Sequence, residues 1–171
     1  MKNSTGKLLS LLGAAAFVSL AMQAAAAPPA GFHPPKSAAE VALDKVLKAA
    51  DADEFQLDNL LHRYPVVPKK RVDYRTMLTA PLIAAMQVEE KKLVAHDCGG
   101  KYLEGEVCGM DSSPITCAQD VVRPYTYKTV TQNAKDATIA GPGATYRMVQ
   151  VGNAWQVDGI KCNEGSSFNF R

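Results

Sequence analysis

Tyr146-Arg147-Met148-Val149-Gln150-Val151-Gly152-Asn153-Ala154-Trp155-Gln156-Val157-Asp158-Gly159-Ile160 is the stretch on which the fold turns. Two runs rich in β-branched and aromatic residues flank Gly152-Asn153, a pair that tolerates positive φ, so the segment reads as a two-residue β-hairpin. Two further strands precede it. Ala137 to Ala140 lies across Gly141-Pro142-Gly143, and Tyr125 to Thr131 alternates in the same manner. About four antiparallel strands in a meander therefore occupy the C-terminal part of the chain.

Upstream the period changes from two to between three and four. Ser37-x-x-Glu40 is a capping box, in which the serine hydroxyl and the glutamate each satisfy a free amide at a helix start. Leu43, Val46, Leu47 and Ala50 then share one face. Phe55, Leu57, Leu60 and Leu61 continue the helical pattern after a break at Asp51 to Asp53, until Pro65 and Pro68 stop it. A second helical region starts near Val72 and restarts where Thr79 can cap and Pro81 fits the first turn. Leu82, Ile83, Met86 and Leu93 are its expected buried stripe, and Glu89-Glu90-Lys91-Lys92 its solvated side. The expected class is α+β: two to three helices packed on one face of a curved antiparallel sheet.

The N-terminus reads as a leader. Lys2 and Lys7, with no acid before Glu40, precede the uncharged run Leu8 to Met22 and the small residues Ala24 to Ala27. That is the order of a secretory signal, with cleavage expected after Ala26. The apolar run is short and Ala-rich compared with the ~20 strongly apolar residues of a spanning helix. It holds no cysteine for lipidation. Residues 27 to 36, with four prolines and a glycine, suit an extended leader, and residues 37 to 171 form one domain. The expected location is the periplasm or the exterior.

Removing Lys2 and Lys7 turns 19 basic against 17 acidic residues into 17 against 17. A neutral domain lacks the footprint needed for a phosphate backbone, so nucleic acid is not an expected partner. Once processed, the chain is not expected to be an integral membrane protein. Cys98, Cys108, Cys117 and Cys162 all lie in the exported part, where disulfides persist. Four cysteines allow three pairings. Proximity favours Cys98 with Cys108, which leaves Cys117 with Cys162. Spacings of ten, nine and forty-five residues do not resemble zinc-ligand pairs, and no metal or cofactor is expected.

Three segments also resemble a known family. Tyr74-Arg75-Thr76-Met77-Leu78-Thr79-Ala80-Pro81-Leu82 is similar to the second-helix motif of a family of secreted and lipid-anchored bacterial proteins of unknown function. Gly109-Met110-Asp111-Ser112-Ser113-Pro114 resembles that family's loop signature, with a serine where the family often carries a cysteine. The closing hairpin, with Trp155 on its core side, resembles the last two strands of the group. The resemblance implies the cone-shaped roll of the cystatin-like and nuclear-transport-factor-like folds over residues 37 to 162.

In such a roll alternate strand residues line a cavity, which makes Tyr125, Tyr127, Tyr146 and Asp158 candidate lining residues. They equally suit ordinary packing of a half-buried sheet. His33 lies in the Pro-rich leader, and His62 and His96 close helices. His96-Asp97 is not tied to any nucleophile, so no catalytic residue is assigned. The loop from Cys98 to Cys117 is the remaining candidate, a pinned surface for a protein partner using Tyr102, Glu104, Glu106, Met110, Asp111, Ser112 and Ser113. The expected function is a non-enzymatic periplasmic binding protein, one form being an immunity-type inhibitor of a cell-wall-attacking effector. A module that holds or turns over a small apolar ligand in the cone, and a structural envelope component, are the alternatives.

Overall fold

In the computed structural model of the protein, the structure describes residues 29–61, 71–103, 105–118, 123–163 and 169–170. The expected signal segment, residues 1–26, and His62 lie outside them. Three helices, α1 (Ala38–Ala52), α2 (Gln56–Leu61) and α3 (Ala80–Cys98), pack against a five-stranded sheet. Its strands are β1 (Lys128–Gln132), β2 (Asp136–Ala140), β3 (Ala144–Val151), β4 (Ala154–Cys162) and β5 (Asn169–Phe170), in sequence order and all antiparallel. The class is α+β, with one strand more than the sequence pattern predicts. β5 is two residues long and leaves no periodic signal.

The capping box forms as read. Ser37 Oγ accepts from Glu40 N at 3.2 Å, and Glu40 Oε2 accepts from the N–H of Ser37 at 3.0 Å and of Lys36 at 2.8 Å. Its other oxygen accepts the Thr129 hydroxyl at 2.6 Å, so the start of α1 is fastened to β1. α1 buries Leu43, Val46, Leu47 and Ala50 against Ile139, Tyr146, Met148, Val157 and Ile160 from the sheet. The leader joins this layer, since His33 pairs with Tyr127 through both backbone groups, at 3.0 and 2.8 Å. β1 starts at Lys128 rather than Tyr125, with the preceding residues taken up by this bridge and by a cis Arg123-Pro124 bond.

The second helical region differs from its sequence reading. A 3-10 turn, Tyr74–Thr76, precedes a short segment in which Thr79 N donates to Val157 O and Val157 N to Met77 O, both at 2.9 Å. Met77 to Thr79 thus runs as a parallel companion to β4 before α3 begins. Thr79 occupies the N-cap position, but its hydroxyl does not cap; it donates to Asp158 at 2.8 Å. The buried line of α3 is Leu82, Met86, Glu90 and Val94, while Ile83 and Leu93 are only half-buried. Glu90 therefore belongs to the packed face and not to the solvated one. Trp155 is likewise half-buried, packed on the rim of the core next to the hairpin end.

Burial raises the Glu40 carboxyl, but the Thr129 hydroxyl, the two amides and the nearby His33 outweigh it and hold its pKa below the ordinary 4.5. The ionised form thus stabilises the fold above that value, and the contribution is lost as pH falls through the lowered folded pKa. Wild type is expected to melt higher than Glu40→Gln at neutral pH, with the gap narrowing below pH 4.5. Thermal melts across the acid range check this; a gap that stays constant contradicts it.

Candidate functional site

Glu90 is 1% exposed and sits on the inward line of α3, four residues from Met86 and from Val94. A buried carboxylate must be hydrogen-bonded, and the loop after α3 supplies the donors. Tyr102 Oη donates to Oε1 at 2.8 Å and Met110 N to Oε2 at 2.8 Å. Between them, Gly109 has φ +80° and lies so close that a Cβ there would stand 2.3 Å from Oε1. Only glycine allows this backbone both its left-handed conformation and that approach.

Two disulfides fix the same loop from outside, and they select one of the three possible pairings. Cys98 joins Cys108 at a Cα separation of 5.7 Å, and Cys117 joins Cys162 of β4 at 5.5 Å. Two disulfides are the mark of a chain that matures in an oxidising environment. Between the bridges, Ser113 Oγ accepts from Thr116 N at 3.0 Å and Ser113 O from Cys117 N at 2.9 Å, closing a tight turn. Ile115 O accepts the Tyr146 hydroxyl at 2.9 Å. Gly143 passes so close beneath that a Cβ would meet Thr116 O at 2.7 Å.

The loop therefore has an inner and an outer side. Met110 (1% exposed) and Ile115 (0%) belong to the hydrophobic core. Met110 is thus unavailable to a partner, contrary to its sequence assignment, because its side chain fills the space under the loop. Tyr102 is half-buried and committed to Glu90, Ser113 closes the turn, and Ser112 is half-buried. Glu106 and Asp111 are exposed; Glu104 lies outside the described residues. What the sequence reading missed is Leu103 and Val107, 49% and 73% exposed. The available signal was a pair of aliphatic residues flanking the polar Glu104-Gly105-Glu106 between two cysteines.

The four cavity candidates separate. Tyr127 and Tyr146 are both 0% exposed and are interior packing, Tyr127 donating to Asp44 Oδ1 at 3.0 Å. Burial, reinforced at Tyr127 by the Asp44 carboxylate, raises both phenols above their ordinary range. Tyr125, 6% exposed and part of the core cluster, lies beside Asp51 and Arg123, where burial and Asp51 raise it as well. Asp158 makes its bonds to other residues than these tyrosines. It is the extra residue where the β3–β4 register slips, and it bonds Thr79 and, at 3.2 Å, Arg147. His96 Nδ1 meets Asp97 Oδ1 at 2.8 Å on the exposed end of α3, and no hydroxyl or thiol among the described residues bonds that ring.

Among the described residues no group of three His, Cys, Asp or Glu side chains is placed to hold a metal, and no helix is long and apolar enough to cross a membrane. No family model, curated protein or solved structure matches the chain.

Glu90→Ala removes the shared acceptor of two part-buried or buried donors, at about 1–3 kcal/mol for each. The expected result is a lower melting temperature and faster hydrogen exchange at the Met110 amide, with both disulfides intact; unchanged exchange contradicts the anchoring role. The raised phenols give a second expectation. Because they stay protonated in the folded state, stability falls as pH rises above the ordinary tyrosine value of 10.0. In an alkaline titration followed by tyrosinate absorbance and circular dichroism, the last phenols are expected to ionise only as the domain unfolds. Full ionisation of all tyrosines in a folded domain contradicts this.

Proposed function

We propose that this chain is an exported periplasmic binding protein without chemistry of its own, and that it meets a protein partner through the outer side of the Cys98–Cys117 loop. The observation that carries the reading is the contrast within that loop. It is clamped to Glu90, to the core and by two disulfides, yet it presents Leu103 and Val107 to solvent. An ordered loop has already lost the conformational freedom that a partner would otherwise have to remove, which favours affinity. Exposed Leu103 and Val107, with the exposed acid Glu106 next to Val107 in the chain, fit a partner surface that is apolar and carries a basic group at its edge.

Within that class, an immunity-type inhibitor of a cell-wall-attacking effector is the specific form we favour. The export leader at residues 1–26, the charge balance and the resemblance to secreted bacterial proteins with a cystatin-like roll support it. The interior that a ligand-holding cone would keep open is occupied by Met86, Tyr127, Tyr146 and Met148, which weighs for a surface-binding role over a cavity-based one.

Affinity capture from cell envelopes with the mature, oxidised protein tests the proposal. One stoichiometric partner is expected, lost with the Leu103→Asp/Val107→Asp double variant while its melting temperature stays within a few degrees of wild type. A partner retained undiminished by that variant places the contact elsewhere.

A further inference from the structure

A groove of about 810 Å³ runs between α1 and two proline-bearing segments. Its apolar lining is Pro34, Pro35, Ala52, Pro124 and the edge of Tyr125, a residue 6% exposed. Its charged wall is a stripe of α1, Asp44, Lys48 and Asp51, spaced so that all three share one helix face, with Arg123 opposite. The volume falls in the range of ~300–1,000 Å³ typical of small-molecule sites.

The four charges balance formally, but they are not equivalent. The acids lie inward and are engaged. Asp44 is 13% exposed and accepts the Tyr127 hydroxyl on one oxygen and Lys48 Nζ, at 2.7 Å, on the other. Asp51 is 16% exposed and holds Arg123. The cations lie outward, each 65% exposed. Lysine carries three donors and arginine five, so both retain N–H groups after meeting their acids. The hydrogen-bonding capacity left to a ligand is therefore donor capacity, on two cations, beside flat apolar rings.

We infer that this groove binds a small organic carboxylate with a flat apolar body, the body lying on Pro34, Pro35, Pro124 and Tyr125 and the carboxylate bridging Lys48 and Arg123. Carboxylate bridging extends the row of alternating charges without stripping either acid of its partner. The arginine fork suits a carboxylate geometrically. This site shares no residue with the partner loop and does not rest on the loop reading.

The test uses the mature oxidised protein, isotope-labelled, titrated with 2-naphthoate, its neutral amide and 2-naphthylmethylammonium, and followed by amide chemical shifts. Naphthoate is expected to give saturable shifts at Ala52, Tyr125 and Thr126, with the amide about ten-fold weaker and the ammonium weaker still. Lys48→Gln and Arg123→Gln are each expected to bring naphthoate toward the level of the amide, and the Leu103→Asp/Val107→Asp variant to leave it unchanged. Lys48→Gln keeps the test decisive should loss of the Asp51 partner disturb folding. Absence of saturable shifts with naphthoate, equal binding of the three probes, or undiminished binding to Lys48→Gln overturns the inference.

Discussion

A carboxylate placed on the packed line of a helix constrains everything around it. Glu90 interrupts the series Leu82, Met86, Val94, and a polar group buried there is tolerated only with hydrogen-bond partners at hand. The chain turns back over the helix and brings Tyr102 and the Met110 amide to it. That return path requires Gly109 at the point of contact and carries Met110 and Ile115 into the core. The Cys98–Cys108 bridge closes the short circuit, and Cys117–Cys162 ties its far end to β4. The loop is thus a wall of the hydrophobic core, and its outer side is ordered because its inner side is packed.

The sheet achieves a comparable economy at its edges. β4 would be an open edge along its first half, but Val157 exchanges both backbone groups with the Met77–Thr79 segment, and β5 covers Ile160 and Lys161. The register slip at Asp158 makes this compatible with the core, because it switches the inward parity from Trp155 and Val157 to Ile160 and Cys162. A bulge of this kind also re-aims a side chain, and Asp158 uses it to fasten the start of α3. At the other edge, β1 pairs with His33 before its first residue and has its own register slip between Thr129 and Thr131. Irregular strands with exposed charge resist pairing with other chains.

Local rules made much of this legible. Ser37 and Glu40 mark the start of α1 because capping is a contact between neighbours in sequence, and Gly152-Asn153 marks its hairpin for the same reason. The departures are tertiary. Glu90 reads as solvated within a run of four charges, and only the spacing of four from Met86 and Val94 places it inward. Trp155 reads as core from its chemistry, but its position one pair from the hairpin turn leaves it on the rim. Thr79 reads as a side-chain cap, yet Asp158, distant in sequence, takes its hydroxyl. Asp158 could not be oriented without the bulge, which no residue type announces. Of the loop, the pinning was legible from the cysteines, whereas the division between inward Met110 and outward Leu103 and Val107 depends on contacts with α3.

The proposed partner surface depends on the loop being a rigid, core-anchored presenter of two aliphatic side chains. Backbone ¹⁵N relaxation on the mature protein with both disulfides intact tests that claim most directly. The account predicts order parameters of about 0.85 at Tyr102, Leu103, Val107 and Met110, equal to those of β3 and β4; values below about 0.6 at these amides, typical of mobile backbone, would contradict it.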